Sequence, residues 1–369
     1  MIYITIFITI LLLALIEIYF FDNNIVVRPY VNVCFILCIF LICFAGGRVN
    51  TGLDYGSYER YFNLIHNGYV NVFNINLEPL YVVANIIAPS YRLLLFMLAI
   101  ASVYIRYKAL KNLKVQLLLF VILVYFATFF LFYDMGVMRQ GLSMSLCLLS
   151  LPYAHYKEKR FFFIVIIASL FHFSSLTFLI VYFLANKEFS RRFYYILLLL
   201  ALLFVYLGST NIIQSNLILK YLDLLGGYYL LHKYHSYFSL DYNDSYFLPI
   251  IMKRVIIGIF FIELFKREGR YCNFCENNKL LWTCINSYIV SILFFSICIL
   301  FGVGINGGRA TASLYMLYCL VYEKILSTSR KGLKQVVLFI IFALLSYYSL
   351  IEIIYKSSGD TYLNYIFFI

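Results

Sequence analysis

Apolar stretches of about 20 residues recur along the whole chain, and they constrain the fold more than any other feature of the sequence. A stretch of this length crosses roughly 30 Å of hydrocarbon as a helix, because only a helix bonds its own backbone polar groups there. Of the 369 residues 64% are apolar and 12% are charged, more apolar surface than a water-soluble domain can bury. The sequence therefore predicts an all-α, polytopic integral membrane protein.

The apolar stretches predict about ten to twelve transmembrane helices in a single transmembrane domain over residues 1–369. Residues 80–88 are apolar but stop at Pro89, which predicts a short interfacial or half-buried helix instead of a full crossing. The individual spans are predicted at 2–20, 30–46, 91–107, 115–132, 139–155, 193–210, 248–265, 281–301, 309–326 and 336–354.

Lysines and arginines are concentrated in short loops between the apolar stretches. Cytoplasmic loops are enriched in basic residues, so these loops indicate which side of the membrane each connection faces. A single crossing by residues 161–186 would place these loops on opposite sides of the membrane and erase the bias. We therefore predict that 161–186 is a broken or re-entrant helical hairpin, turning near Phe171–Ser175, so that all five basic clusters face the cytoplasm. The clusters are Arg106 to Lys114, Lys157 to Arg160, Lys187 to Arg192, Lys266 to Lys279 and Lys324 to Lys334.

The same count places two long segments on the periplasmic side, near residues 47–79 and 212–247, and these are the functional candidates. The second segment mixes tyrosines and phenylalanines with acidic residues such as Asp241, side chains that bind sugars by stacking and hydrogen bonding. An aromatic belt in the headgroup region is the competing interpretation.

The net charge of +12 is mostly explained by these dispersed cytoplasmic loops, so no nucleic-acid partner is predicted. Cys272 and Cys275 form a single pair without the second pair that a zinc site requires. No metal and no cofactor are predicted.

Four arginines break the positive-inside rule at helix ends: Arg48, Arg139, Arg254 and Arg309. An unpaired arginine inside a membrane helix costs roughly 2.5–3.5 kcal/mol on insertion scales, so something should compensate each of them. They could reach lipid headgroups, or they could pair with Asp54, Asp134 or Glu78. If they converge at one membrane depth, their guanidinium groups would suit the diphosphate of a lipid-linked substrate.

Five motifs in order along the chain resemble those of the EpsG/Wzy polysaccharide polymerases. The resemblance runs over most of the sequence. The sequence shows no internal repeat. The motifs are Arg48 with Gly52-Leu53-Asp54-Tyr55 and Tyr58, then Glu78-Pro79-Leu80-Tyr81, Met138-Arg139-Gln140-Gly141, Phe171-His172-Phe173-Ser174-Ser175, and Arg309 with Tyr315 and Tyr318.

The resemblance implies a glycosyltransferase of the bacterial inner membrane. It would move a growing glycan from undecaprenyl diphosphate to the non-reducing end of a new lipid-linked repeat unit, at the periplasmic face, as in O-antigen biosynthesis. Its partners would be undecaprenyl-diphosphate-linked oligosaccharides, membrane lipids, and flippase and chain-length regulator proteins. A diphosphate leaving group already activates the donor, so the chemistry requires neither a nucleotide nor a metal.

Such a reaction needs stabilisation of the departing diphosphate and a base for the acceptor hydroxyl. The four arginines are the predicted diphosphate ligands. Asp54 and His172 are the candidate bases, although Asp54 could instead pair with Arg48 and His172 could cap a half-helix. The predicted glycan contacts are Tyr55, Tyr58, Glu78 and Asp241.

Two other functions remain open at this point. An O-antigen ligase would use much the same chemistry to transfer the finished glycan to lipid A core. A transporter or flippase for the lipid-linked unit would more often show two similar halves with matched broken helices.

Overall fold

The computed structural model describes residues 1–22, 28–68, 77–210, 247–268, 277–329, 332–355, 361–362 and 365–367. These residues are almost entirely helical, and six of their helices are long and apolar enough to cross a membrane. The chain is thus a multi-pass, all-α membrane protein, and the count of ten to twelve spans stays a prediction. The six are Ile2–Phe20, Tyr91–Asn112, Leu118–Gly136, Arg191–Ser209, Lys279–Leu300 and Leu333–Tyr355.

The described residues of the first part of the chain, up to Phe171, form eight α-helices. They are α1 (Ile2–Asp22), α2 (Arg28–Gly46), α3 (Tyr55–His66), α4 (Pro79–Ile87), α5 (Tyr91–Asn112), α6 (Leu118–Tyr125), α7 (Met138–His155) and α8 (Arg160–Phe171). A π-helical segment, Phe126–Gly136, continues α6. The short α4 ends before Pro89 as predicted, because a proline ring obstructs the helix that precedes it.

The remaining described helices are α9 (Ile180–Leu184), α10 (Arg191–Ser209), α11 (Phe247–Glu268), α12 (Asn277–Leu300), α13 (Gly304–Tyr315), α14 (Tyr318–Thr328) and α15 (Leu333–Tyr355). The sequence predicted one span over 309–326, and this was wrong. Two turn residues, Met316 and Leu317, separate α13 from α14 there.

The chain reverses direction after α8, as the charge pattern predicted. His172 ends the helix in an extended conformation, and a 3₁₀ helix, Phe173–Leu179, follows. The rings of Phe161 and Phe178 stack with centroids 6.1 Å apart, although the two positions are 17 apart in the sequence, so the 3₁₀ segment runs back along α8. The placement of this hairpin in the membrane stays a prediction.

The described residues group into two compact units. Unit 1 contains Met1–Leu179 and Cys319–Ile369, and unit 2 contains Ile180–Tyr318. In unit 1, α5 packs between α2 and α7, α7 packs against α8, and α15 lies along the π-helical segment. In unit 2, α12 packs against α10, α11 and α13.

The described residues of unit 1 also include two strands of two residues each. β1 (Arg48–Val49) pairs antiparallel with β2 (Ile366–Phe367), and Arg48 lies opposite Phe367. The Tyr362 hydroxyl donates to Leu131 O at 2.7 Å, and the Tyr365 hydroxyl donates to Phe44 O at 2.7 Å. The end of the chain therefore packs against the loop that follows α2.

One basic residue lies where the charge pattern did not place it. Arg106 was predicted in a cytoplasmic cluster, but it is 6% exposed within α5 and pairs with Asp134 of the π-helical segment. Its long side chain reaches back toward the middle of the helix bundle because a buried carboxylate lies there.

Candidate functional site

Arg48 lies in the loop after α2 and is almost fully buried, at 2% exposure. Its Nε donates to Thr51 O at 3.1 Å, and its Nη1 donates to Ala45 O. Nη2 contacts Met138 Sδ at 3.7 Å. Burial lowers the pKa of this guanidinium from its usual value, while nearby tyrosine hydroxyls oppose that shift. The Arg48 guanidinium therefore donates to backbone carbonyls, which is typical of a residue that stabilises the conformation of its loop.

Asp54 begins α3 at the N-cap position, with φ −103° and ψ 12°, and its side chain does not cap the helix. The predicted alternative, an ion pair between Asp54 and Arg48, does not form. Among the described residues no hydrogen bond or ion pair engages the Asp54 carboxylate. The carboxylate is half-exposed at the N-terminus of α3, where the helix dipole favours a negative charge.

Arg139 is on the first turn of α7 and meets residues from two other segments of unit 1. Its Nη1 pairs with Glu78 Oε2, and the two side chains are 16% and 18% exposed. The guanidinium carbon lies 5.3 Å from the ring centre of Tyr58 and 5.1 Å from that of Tyr81. Aromatic rings and a carboxylate together hold a guanidinium group in one orientation.

Tyr55 and Tyr58 belong to the apolar cluster that supports Arg139. Both rings are buried, with Tyr81, Tyr91 and Met138 in the same cluster. The Tyr91 hydroxyl donates to Tyr55 O at 3.0 Å, which fixes the start of α3 against α5. The two tyrosines thus connect the Asp54 loop to the turn that carries Arg139.

His172 ends α8, and its ring contacts a neighbouring hydroxyl. His172 Nδ1 lies 2.7 Å from Ser174 Oγ, and Gln140 Nε2 donates to the same oxygen at 3.3 Å. Gln140 directly follows Arg139 in α7, so the turn of the hairpin and the start of α7 are joined by side chains. The His172 carbonyl accepts from Ser175 N at 3.1 Å, the first hydrogen bond of the 3₁₀ helix, and the capping role of the His172 side chain stays a prediction.

Unit 2 contains the other two arginines. Arg254, in α11, has its guanidinium carbon 3.9 Å from the ring centre of Tyr315 and 4.7 Å from that of Phe295. Its Nη1 is buried without a hydrogen-bond partner among the described residues. Arg309 is half-buried in α13, on the same helix as Tyr315.

Unit 1 therefore brings together most of the residues that the sequence singled out there, while unit 2 holds Arg254 and Arg309. The convergence of all four arginines on one anion stays a prediction. Asp241 and the segment 212–246 lie outside the described residues. The unit 1 residues joined by these contacts are Arg48, Tyr55, Tyr58, Glu78, Arg139 and His172, and Asp54 directly precedes Tyr55 in the sequence.

Sequence reasoning missed two sets of residues. Gln140 and Ser174 stood inside quoted motifs, but nothing in one sequence shows that they contact each other. Arg106 and Asp134 form a buried pair, and the only signal for it was a carboxylate inside an apolar stretch. Such a carboxylate requires a partner when no water is present.

A family model described as the EpsG family matches residues 31–367, nearly the whole chain. No curated protein and no solved structure matches the chain. The five motifs lie within the matched range, and the first four of them belong to unit 1. The chain therefore belongs to the EpsG family, whose members are Wzy-like polysaccharide polymerases.

Proposed function

We propose that this protein polymerises O-antigen-type repeat units by transferring a growing glycan from undecaprenyl diphosphate. The acceptor is the non-reducing end of a new lipid-linked unit, and the reaction takes place at the periplasmic face of the bacterial inner membrane. The partners are lipid-linked oligosaccharides, membrane lipids, and flippase and chain-length regulator proteins. The single observation that carries the proposal is the meeting of Arg139, Glu78 and two tyrosines with the His172 turn.

The reaction breaks the bond between the sugar anomeric carbon and a phosphate oxygen. The bonding electrons pass to the diphosphate, whose negative charge grows in the transition state. Fixed cations at that position accelerate the step because they bind the transition state more strongly than the ground state. Arg139 and Arg254 suit this role, because rings orient both guanidinium groups. Arg309 is assigned to the same anion from its motif.

Arg48 is assigned a different part in the same site. Its hydrogen bonds go to Ala45 O and Thr51 O, so it positions the loop that ends at Asp54. Asp54 and His172 are the two candidates for the base that takes the proton of the acceptor hydroxyl, worth on the order of 10²–10⁴-fold in rate. Tyr55, Tyr58, Glu78 and Asp241 are assigned to the glycan. No metal takes part in this scheme.

The proposal is tested by glycan ladders from a strain that lacks the gene and carries plasmid copies at matched protein levels. We expect Arg139→Ala to leave surface glycan of one repeat unit and no longer chains. Arg160→Ala is the control, because Arg160 also opens a helix but its side chain is 76% exposed. A full ladder from Arg139→Ala contradicts the proposed site.

The same ladders separate the competing functions. Loss of a polymerase leaves lipopolysaccharide with one repeat unit. Loss of an O-antigen ligase leaves none attached to lipid A core, and loss of a flippase removes all surface units. An empty ladder with accumulated polymer on the lipid carrier therefore assigns the chain to a ligase instead.

A further inference from the structure

The Ser174 hydroxyl is the middle group of a chain of three hydrogen-bonded side chains in unit 1. Its hydroxyl lies 2.7 Å from His172 Nδ1 and 3.3 Å from Gln140 Nε2. Gln140 belongs to α7, His172 ends α8, and Ser174 lies in the 3₁₀ helix, and both α8 and the 3₁₀ helix pack against α7.

The direction of each hydrogen bond follows from what the groups can donate. An amide nitrogen only donates, so Ser174 Oγ accepts from Gln140 Nε2. The hydroxyl then has one proton to place, and the His172 Nδ1 lone pair is the acceptor at hydrogen-bond distance. Donation in the opposite sense, from Nδ1–H to Oγ, would leave the hydroxyl proton without an acceptor among the described side chains. Hydrogen bonds that run in one direction along a chain strengthen one another, so donation from Ser174 to His172 is favoured.

The hydrogen bond at one ring nitrogen sets which nitrogen carries the proton in neutral histidine. We propose that Gln140 and Ser174 hold His172 in the tautomer protonated on Nε2, so that His172 donates a hydrogen bond to the departing diphosphate and Asp54 is the base. This inference rests on the proposed function and chooses between the two candidate bases. Gln140 and Ser174 are positioning residues, since they act through the histidine ring.

The proton balance follows. The acceptor hydroxyl oxygen forms the new bond to the anomeric carbon and gives its proton to the Asp54 carboxylate. The old bond to the phosphate oxygen breaks, and its electron pair leaves with undecaprenyl diphosphate. His172 keeps its proton and stabilises the leaving oxygen through Nε2–H. No oxidant, metal or nucleotide is needed.

The tautomer is measured directly by ¹⁵N NMR of the full-length protein, labelled at histidine and reconstituted in lipid bilayers. The His172 signals are assigned as those missing from the spectrum of His172→Gln. At neutral pH we expect a protonated Nε2 and an unprotonated Nδ1 in the wild type. The reverse pattern overturns the inference without any substitution in the hydrogen-bonded chain.

Substitutions then test the two positioning residues. Ser174→Ala should release the tautomer preference, and Ser174→Thr should restore it. Gln140→Glu should invert it, because a carboxylate accepts the Ser174 proton and turns the hydroxyl into an acceptor for Nδ1–H. Ser175→Ala is the matched control, because the Ser175 hydroxyl donates to the His172 backbone oxygen at 3.0 Å and leaves the ring alone. An unchanged tautomer in Ser174→Ala contradicts the inference.

Activity provides an independent measurement. We expect Ser174→Ala to lower kcat roughly tenfold, the effect of one ordinary hydrogen bond, with an unchanged KM for the lipid-linked donor. Added formate should restore polymer to Asp54→Ala, and no added small acid should restore it to His172→Ala. Rescue of His172→Ala by formate assigns the base to His172 and overturns the inference. A protein with the expected tautomer but no polymerase activity contradicts the proposed function and leaves the hydrogen-bonded chain in place.

Discussion

Arg106 Nη2 donates to Asp134 Oδ1 across 2.9 Å, joining α5 to the π-helical segment inside unit 1. The Tyr125 hydroxyl donates to the other carboxylate oxygen at 2.8 Å, and its ring lies 3.8 Å from the guanidinium carbon of Arg106. Ser102 and Ser145 complete the network. The carboxylate thereby fixes the segment that leads into the turn before Arg139.

Removing one partner of the Arg106–Asp134 pair should lower the free energy of unfolding more than replacing both partners with apolar residues. Asp134→Ala leaves the Arg106 charge uncompensated, and we expect it to lower the free energy of unfolding by about 3–5 kcal/mol. The double variant Arg106→Met with Asp134→Leu removes both charges, so most of that loss should be recovered. Denaturant unfolding of the purified protein in mild detergent measures both values.

The pair between Arg160 and Glu158 is the control for this comparison. Its atoms are 3.8 Å apart, and the side chains are 76% and 42% exposed. Exposed pairs contribute about 0–1 kcal/mol, so Glu158→Ala should change stability little. Equal losses from Glu158→Ala and Asp134→Ala would refute the structural importance of the buried pair.

Arg106 also shows where sequence reasoning stops. A basic residue near the end of an apolar span normally lies at the cytoplasmic interface, and the charge count placed it there. The structure buries it because Asp134, 28 residues later, arrives at the same depth. The contact between Arg106 and Asp134 depends on how three helical segments pack together. It cannot be predicted from the sequence around either residue.

Two glutamates from distant parts of unit 1 cap the N-terminus of α6. Glu17 accepts from Leu119 N at 3.0 Å and from Phe120 N at 2.8 Å, and Glu323 Oε1 accepts from Gln116 N at 3.1 Å. Both side chains are buried. The first amides of a helix have no internal acceptor, so these carboxylates satisfy them and complement the helix dipole.

We expect Glu17→Ala to destabilise the protein by about 1–3 kcal/mol, because it exposes buried amides that nothing else bonds. Glu17→Gln keeps an acceptor oxygen and should lose less. A double-mutant cycle with Glu323→Ala should show an interaction energy, since both residues hold the same helix end. Strict additivity in that cycle, measured by thermal unfolding, is the result that would contradict a shared cap.

Gly52 has a backbone conformation, φ +109°, that side chains disfavour, and a Cβ there would overlap Met135 O. Gly52→Ala should therefore destabilise the protein by more than about 1 kcal/mol and displace Asp54, two residues later. Gly56 is the matched control in the same motif. It lies in α3 with nothing near its Cβ position, so Gly56→Ala should be neutral or stabilising by up to about 1 kcal/mol. Glycan ladders and unfolding curves of the two variants check this, and similar curves would be the contrary result.

The helices themselves were largely predictable, and the site was predictable only in part. The predicted span 2–20 matches the candidate span Ile2–Phe20, because the length of an apolar helix is set by the thickness of the membrane. The hairpin was predicted from loop charges, and its stacked phenylalanines agree with that prediction. The pairing of Arg139 with Glu78 was one of several alternatives, since a sequence contains no distances between segments.

The stacking of Arg254 on Tyr315 leads to the last prediction. The guanidinium carbon lies 3.9 Å from the ring centre, and no acidic side chain among the described residues pairs with it. Cation–π contacts of this kind stabilise by about 0.5–2 kcal/mol, so the ring holds Arg254 without neutralising its charge. If Arg254 binds the diphosphate, Tyr315→Ala should shorten glycan chains nearly as much as Arg254→Gln, while Tyr315→Phe should retain them. Arg191→Gln is the control in the same unit, since that arginine pairs with Glu263 at 3.7 Å on an exposed surface. Full-length chains from Arg254→Gln, at a protein level equal to the wild type, would remove Arg254 from the anion site and leave its ring contact as packing alone.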